Sequence, residues 1–558
     1  MAAGFLYVAV YGVNVPVEDD WANVITLSKE AAGTLSLSDL FAQHNELRPL
    51  FPRLAQIALA KFGGYSPIVQ MYVIEAALLA TALVFALAMR RTLGRATLPA
   101  LPLVAYLVFS LRQSGSMLFA FNVTLALRET FGVGAIALLW LSGLTLGQRR
   151  VALVAGAVAA ATVSTYSSSQ GLVVWPAGLV QLLLEGRGRQ RTTTIAFWSL
   201  VGIGEWALYL HGYRPVLGHP SATYALRHPV QGVEFFVTLF GASLTAEPTR
   251  ALVYGSILLA LAACALILTA RRRETQLMSF WIAVLASSVF MVGEVTIGRT
   301  GNGVDQALMS KYACFSIVGM VALVALLTRT VRGEGRRIGA GLLAATAVLI
   351  VLSVPGTISE GLASGRHLST VRRRDAYLLY TYRSEPDALL RDVFQPTAAI
   401  VRQFAPYLEA RQDTVFAAER PPVPPAPPPS PSRLRADPSP SSCTVDTING
   451  DPAGSLPTVS LDHGYVVVFG WCLAPGNAEP AGGVYITLDN RYVPAYYGEV
   501  RVDVAAFFHN RGLGSSGFEA AARLTGDTAG VHTLSVVALS PDEKRAYRPN
   551  PTVRFRVE

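Results

Sequence analysis

The chain has 558 residues, of which 52% are hydrophobic and 15% are charged, and its mean hydropathy is +0.40. Soluble proteins average about 25% charged residues, so this composition excludes an ordinary soluble enzyme and predicts a polytopic membrane protein. The formal net charge of +9 comes mainly from arginine clusters between apolar segments, where it sets membrane orientation. We therefore expect no nucleic-acid partner.

Apolar segments fill most of the first 356 residues. A transmembrane helix needs about 20 residues to cross the hydrocarbon core. The sequence predicts about eleven spans, near residues 2–17, 67–89, 97–113, 130–147, 151–165, 170–186, 194–210, 251–270, 278–297, 310–328 and 338–356. The first is short, and a signal peptide is its rival interpretation, but it has neither a basic n-region nor a convincing small-residue cleavage site.

Five arginine clusters between these spans indicate one orientation. If the N-terminus is cytoplasmic, all five lie on the cytoplasmic side, as the positive-inside rule requires. The clusters are Arg90/Arg91/Arg95, Arg149/Arg150, Arg187/Arg189/Arg191, Arg271/Arg272/Arg273 and Arg329/Arg332/Arg336/Arg337. The sequence therefore predicts a multi-pass protein of a bacterial inner (cytoplasmic) membrane, with its N-terminus inside and its C-terminal domain outside.

The apolar stretch at residues 232–244 is too short to span and would invert the later arginine clusters if it did. We expect an interfacial or re-entrant helix on the outer side, with Phe235, Phe236 and Phe240 in the interface.

Four regions follow from the pattern along the chain. Residues 1–356 form a transmembrane domain, 357–420 an extracytoplasmic juxtamembrane helical segment, 421–442 a proline-rich linker, and 443–558 an extracytoplasmic β-sandwich. The linker favours extended polyproline geometry, whereas short alternating runs broken by Gly, Pro and Asn are typical of an all-β domain. Cys443 and Cys472 are its only cysteines and can form one disulfide in an oxidising space.

Three polar strings fall on the same predicted side of the membrane. They are PVEDDW at Pro16 to Trp21, HNELR at His44 to Arg48, and GRTGNGVDQALMSKY at Gly298 to Tyr312. Acids and bases that are distant in the chain but share one membrane face predict a single reaction centre.

The ordered combination resembles the GT-C superfamily of integral-membrane glycosyltransferases, which use polyprenyl-phosphate-linked sugars. The residues that carry the likeness are the acidic pair Asp19 and Asp20, the string HNELRPLFPRL at His44 to Leu54, STYSSSQGLVVWPAGL at Ser164 to Leu179, and the GRTGNG…SKY loop. The resemblance ends before the β-sandwich. It implies sugar transfer from a polyprenyl-phosphate donor to a cell-envelope glycan or lipid on the extracytoplasmic face.

Glycosyl transfer needs a base for the acceptor hydroxyl and cations for the departing phosphate. We expect Asp19 or Asp20 to be the base, or to bind a divalent cation such as Mg²⁺ or Mn²⁺. His44, Arg48, Arg299 and Lys311 are the predicted donor-phosphate ligands, and Glu46, Glu294 and Tyr312 are candidates for lining the same cavity. Because only one well-placed acidic group is evident, single displacement with inversion is favoured over retention.

Each of these residues also has a plain structural interpretation. The acidic pair can begin a helix, the HNELR charges can be a local ion-pair network, and Arg299 and Lys311 can be snorkelling anchors at span ends. The main functional alternative is a transporter or flippase of lipid-linked sugars that works through the acids within predicted spans, where Glu75 and Glu205 either relay protons or pair with arginines. A simple membrane anchor for the sandwich would not need eleven spans.

Overall fold

The computed structural model describes residues 2–185, 189–216, 218–331, 336–383, 385, 387–394, 397–417, 428–454, 456–461, 464–524 and 529–558. The chain divides into two compact units. The first comprises Met1–Gly12, Lys29–Gly63 and Pro67–Leu368, and the second comprises Val13–Ser28, Gly64–Ser66 and Ser369–Glu558.

Helices make up the chain as far as residue 380. In chain order they are α1 (Ala2–Tyr11), α2 (Asp20–Ala31), α3 (Leu37–Phe41), α4 (Leu50–Gly63), α5 (Pro67–Leu93), α6 (Thr97–Val108), α7 (Ser114–Met117), α8 (Val123–Gly143), α9 (Gly147–Thr165), α10 (Val174–Leu184), α11 (Arg189–Leu210), α12 (Tyr224–Arg227), α13 (Pro229–Gly241), α14 (Pro248–Arg271), α15 (Ser279–Arg299), α16 (Ala313–Thr330) and α17 (Arg336–Tyr380).

Six helical stretches among the described residues are long and apolar enough to cross a membrane. They are Pro67–Met117, Ala120–Gly143, Pro248–Arg271, Ser279–Asn302, Ser310–Thr330 and Arg336–Tyr380. This set agrees with a multi-pass membrane protein, but the predicted count of eleven is not confirmed. One reason is that Pro67–Met117 contains two predicted spans, and another is that α9 and α11 begin with several polar residues.

The first predicted span is shorter as a helix than the sequence indicated. Helix α1 has 10 residues, which at 1.5 Å per residue is about 15 Å, roughly half of the hydrocarbon thickness. The fourth predicted span, 130–147, is displaced, because the helix at this position begins at Val123 and ends at Gly143. The displacement brings Arg128 and Glu129 inside a membrane-length helix.

Helix α13 is 13 residues long and does not have the length to span, as predicted. The prediction that its aromatic side chains lie in the membrane interface is wrong for two of them, because Phe235 and Phe240 are buried in the protein core. Helix α13 packs on α14 through Gly241 and Gly255. A Cβ atom at either glycine would lie 1.9 Å from a backbone carbonyl oxygen of the other helix, so only glycine permits this approach.

The second unit contains helices α18 (Asp387–Val393) and α19 (Ala398–Ala410) and an all-β domain with one further helix, α20 (Val502–Phe507). The strands are β1 (Arg435–Pro440), β2 (Ser442–Ile448), β3 (Asp451–Pro452), β4 (Thr458–Val459), β5 (Tyr465–Leu473), β6 (Gly483–Leu488), β7 (Arg491–Pro494), β8 (Tyr496–Glu499), β9 (Gly517–Arg523), β10 (Gly530–Leu539), β11 (Arg545–Arg548) and β12 (Thr552–Val557).

These strands form two sheets, as the alternating sequence pattern predicts. One has the order β1-β11-β10-β12-β4, with β6 pairing to β10 and β7 to β6, and the other has the order β3-β2-β5-β9-β8. Inward-facing side chains from both, such as Val468, Ile486, Phe518 and Phe555, share one apolar core. Strand β1 lies within the range predicted as linker. Residues 418–427 lie outside the described residues, so the polyproline geometry of linker residues 421–427 stays a prediction.

Cys443 and Cys472 are joined by a disulfide. The two residues are direct neighbours across the antiparallel pair β2 and β5, a register that the sequence does not reveal. Near them, the Tyr497 hydroxyl donates a hydrogen bond of 2.5 Å to the Cys472 carbonyl oxygen. The disulfide thus links β2 to β5 across 29 positions of the sequence.

Candidate functional site

Three ionisable side chains from distant parts of the first unit meet at one point. Glu46 Oε1 lies 2.6 Å from His219 Nδ1 and 2.7 Å from Arg299 Nη2, and Arg299 Nη1 lies 3.1 Å from His219 Nδ1. Arg299 donates to Glu46. The His219 Nδ1 atom donates to Glu46 in the Nδ1–H tautomer and accepts from Arg299 in the Nε2–H tautomer. We call Glu46, His219 and Arg299 the Glu46 cluster.

A tight turn presents Glu46. His44 and Leu47 exchange two backbone hydrogen bonds of 2.8 Å, and Asn45 between them has a φ of 49°. Asparagine adopts this left-handed conformation more readily than most residues, so the sequence HNEL suits the turn. The Glu46 side chain is then 28% exposed, next to Arg299 at 20% and His219 at 30%.

Arg48 fixes this turn against the segment that carries His219. Its guanidinium donates to the carbonyl oxygens of Tyr209 at 2.8 Å and His211 at 2.7 Å. The Tyr209 hydroxyl in turn donates to the Glu46 carbonyl oxygen at 2.8 Å. Arg48 therefore positions the cluster, and its donors are engaged with the backbone rather than directed at a ligand.

Arg299 is the last residue of α15, which brings its guanidinium to the end of a membrane-length helix. Tyr312 lies within hydrogen-bonding reach of it, and Glu294 lies within electrostatic range of Glu46. Burial raises the pKa of Tyr213 nearby, and the carboxylates Glu46 and Glu294 raise it further. Several of the residues predicted to share one cavity are thus neighbours.

The other predicted phosphate ligands have different surroundings. The His44 ring packs on the Phe121 ring with centroids 4.9 Å apart, and the Lys311 ammonium lies 5.4 Å from the centre of the Tyr312 ring. Of the four predicted ligands, Arg299 joins the cluster through its side chain.

Asp19 and Asp20 belong to the second unit. Asp20 is the first residue of α2 and is 1% exposed, and its Oδ2 atom accepts a hydrogen bond of 3.3 Å from the Val17 N–H. This is the geometry of a carboxylate at a helix start. Asp19 is half-buried. In the part of the chain that the structure describes, no three His, Cys, Asp or Glu side chains form a group that could hold a metal ion.

A second charged group lies inside the helix bundle of the first unit. Arg128 and Glu129 are both buried, and their side chains approach to 3.9 Å. Two cavities of about 20 Å³ touch this group, and each has room for roughly one water molecule. The guanidinium of Arg128 also lies over the Phe315 ring, 4.9 Å from its centre.

Sequence reasoning missed His219. It stands in a loop with no recognisable motif, 173 residues after Glu46. The one signal that could have found it is its place in an outer loop of the predicted topology, the same side as HNELR and GRTGNG. Comparison with protein-family models, curated proteins and solved structures finds no match to this chain.

The Glu46 cluster combines two chemical capacities. Arg299 keeps guanidinium N–H groups beyond the one given to Glu46, and such planar donors suit phosphate oxygens. In the Nδ1–H tautomer of His219 the Glu46 carboxylate holds Nδ1–H, and Nε2 is a proton acceptor. Partial exposure leaves both groups accessible from solvent. The arrangement can therefore bind an anion and accept a proton close to it.

Proposed function

We propose that the chain is a membrane glycosyltransferase of the GT-C type. It moves a sugar from a polyprenyl-phosphate donor to an envelope glycan or lipid on the extracytoplasmic face of a bacterial inner membrane. The observation that carries the proposal is the Glu46 cluster, where an arginine at the end of a membrane-length helix meets a histidine and a carboxylate. A lipid-borne phosphate requires a cation at this depth.

The proposed topology has about eleven spans. Helices α1, α9, α10 and α11 join the six long apolar stretches, of which Pro67–Met117 crosses twice, and the N-terminus is inside. Support comes from α11, whose Leu200, Ile203 and Leu208 are 71%, 69% and 67% exposed. Large apolar side chains that project from a helix in this way are stabilised by contact with lipid.

In the proposed reaction the acceptor oxygen attacks C1 of the sugar and the bond from C1 to the donor phosphate breaks. Arg299 donates to the departing phosphate and stabilises its growing charge. The base stays between two candidates, the predicted pair Asp19 and Asp20 and the His219 imidazole held by Glu46. Removing a general base costs about 10²- to 10⁴-fold in rate, which separates the candidates.

The test is sugar transfer by the full chain in nonionic detergent micelles. Undecaprenyl-phosphate hexoses and pentoses are offered with an envelope extract, and released undecaprenyl phosphate is measured. Arg299→Gln should slow release by at least about 100-fold. Arg250→Gln is the matched control, because Arg250 is 71% exposed and pairs with Glu247 away from the cluster.

The variants Asp19→Asn, Asp20→Asn and His219→Gln then assign the base. Only the variant that removes it should fall into the range of 10²- to 10⁴-fold. Near wild-type rates for Asp19→Asn and Asp20→Asn would end the assignment made from sequence. Consumption of no donor in the panel by the wild-type chain would contradict the proposal itself.

A transporter of lipid-linked sugars is the second candidate, and the buried pair Arg128 and Glu129 favours it. Ionisable groups inside membrane helices are costly and commonly mark ion or proton paths. Reconstituted vesicles distinguish the two activities. A transporter moves intact donor across the bilayer with its sugar–phosphate bond unbroken, and Glu129→Gln should then stop this movement.

A further inference from the structure

A groove of about 520 Å³ lies between α9 and α11 in the first unit. Its volume is within the range of small-molecule sites and far exceeds the two water-sized cavities near Arg128. Its lining comes from α9 between Gly147 and Ala155 and from α11 between Gln190 and Phe197.

The groove changes character along its length. Its polar side chains, Arg150, Gln190, Thr193 and Thr194, all lie in the first two turns of the two helices. Its apolar side chains extend further along both helices and include Phe197. At 1.5 Å per residue the polar and apolar ends are separated by about 7 to 10 Å. One end therefore suits a polar headgroup and the other suits hydrocarbon.

A hydrogen bond from one of its five guanidinium N–H groups holds Arg150 at the polar end of the groove. Its Nη2 atom donates to Thr194 Oγ1 at 3.1 Å, and the Thr194 hydroxyl donates to the Gln190 carbonyl oxygen at 2.9 Å. Glu185 lies within electrostatic range of Arg150 and Arg191. The described charged side chains of the flanking segments are Arg149, Arg150 and Arg191 against Glu185, a net charge of +2. An anionic headgroup is the complement to this charge.

The rim of the groove is apolar. Val151 and Phe197 on its rim are 68% and 47% exposed, and Leu200 lies one turn further along α11 at 71%. A water-soluble phosphate could bind the basic end of the groove but would leave the apolar rim in contact with water. A phospholipid covers both the basic end and the apolar rim. The charge and the hydrocarbon lining therefore select one kind of occupant.

We propose that the groove between α9 and α11 binds a single phospholipid with an anionic headgroup, phosphate against Arg150 and an acyl chain along Val154, Ala155 and Phe197. Basic pockets between membrane helices commonly bind anionic lipids in this way, and a juxtamembrane arginine contributes about fivefold in affinity. The site is independent of the glycosyltransferase proposal.

The experiment uses the full chain in neutral detergent and native mass spectrometry with phosphatidylglycerol or phosphatidylcholine of equal chain length. We expect the wild type to bind one phosphatidylglycerol at least fivefold more tightly than phosphatidylcholine. Arg150→Gln should remove this preference. Arg149→Gln is the matched control, because Arg149 is exposed and does not line the groove, and it should keep the preference.

A second variant tests the hydrocarbon part. Ala155 is exposed within the groove, so Ala155→Phe fills space without displacing protein atoms, and it should weaken both lipids equally. Equal loss in the Arg149 and Arg150 variants would overturn the proposal, as would equal affinity of the wild type for the two lipids. Displacement of bound lipid by millimolar inorganic phosphate would identify a simple anion site instead.

Discussion

The Glu46 cluster predicts opposite effects for two conservative substitutions on anion binding. Glu46 Oε1 contacts both Arg299 and His219, so the carboxylate competes with a donor phosphate for the guanidinium. Glu46→Gln keeps the shape of the side chain and removes its charge. Arg299→Gln removes the cation itself. The first should therefore tighten the binding of polyprenyl phosphate, and the second should weaken it.

The magnitudes follow from the geometry. A phosphate on the far edge of Arg299 would lie about 5 to 6 Å from the Glu46 carboxylate, where the repulsion is between about 0.8 and 3 kcal/mol for effective dielectric constants of 80 to 20. Because both side chains are 20% to 28% exposed, the lower half applies. Glu46→Gln should tighten binding roughly five- to tenfold. Arg299→Gln loses a charged hydrogen bond, and its binding should weaken by at least about tenfold.

The assay is the binding of fluorescent undecaprenyl phosphate to the full chain in nonionic micelles at low and physiological salt. Arg250→Gln serves as the control for a general change in charge and should leave the dissociation constant within about twofold. Thermal unfolding of each variant in the same micelles checks that it is folded. Weaker binding by both Glu46→Gln and Arg299→Gln would refute the reasoning, because the cluster would then be a structural ion pair.

Three further predictions concern stability. Replacing both Cys443 and Cys472 with alanine should lower the free energy of unfolding of the β-domain by about 3.5 kcal/mol, from the loss of a closed loop of about 30 residues, measured by hydrogen exchange of β5 and β9 in the full chain. Burial raises the pKa of Glu519 well above 4.5, so in the folded chain it stays protonated where the unfolded chain is ionised. The free energy of unfolding of the second unit should therefore fall by up to about 1.4 kcal/mol per pH unit above about pH 4.5. Hydrogen exchange of wild type and Glu519→Gln across this pH range measures it, and the variant should lack this decrease. Finally, Gly255→Ala should lower the melting temperature in micelles, because its Cβ would meet a carbonyl of α13 at 1.9 Å, whereas Gly293→Ala, with open space around it, should not.

Local patterns in the sequence predict the elements well. Short runs rich in β-branched and aromatic residues, at Tyr465 to Trp471 and at His532 to Ala538, indicate strands, and they lie in β5 and β10 respectively. Long apolar runs such as 251–270 and 278–297 lie within α14 and α15. These patterns reflect burial on one face or all round, which each segment encodes by itself.

Contacts between distant segments are less accessible to sequence reasoning. The charge of Arg48 predicted a phosphate ligand, but its donors are used by carbonyl groups of residues more than 160 positions away. The aromatic side chains of α13 suggested a membrane interface. Phe235 and Phe240 are instead buried in the protein core, because Gly241 and Gly255 allow α13 to pack closely on α14. His219 has no local pattern at all. Each outcome depends on tertiary packing, which composition and periodicity do not record.

The most direct measurement is a cryo-electron microscopy structure of the full chain in lipid nanodiscs with undecaprenyl phosphate bound. We predict density for the phosphate within hydrogen-bonding distance, about 3 Å, of the Arg299 guanidinium, and its loss in Arg299→Gln. Phosphate density at a different group of side chains, with Arg299 still bound to Glu46 and His219, would contradict the assignment of this cluster as the donor site.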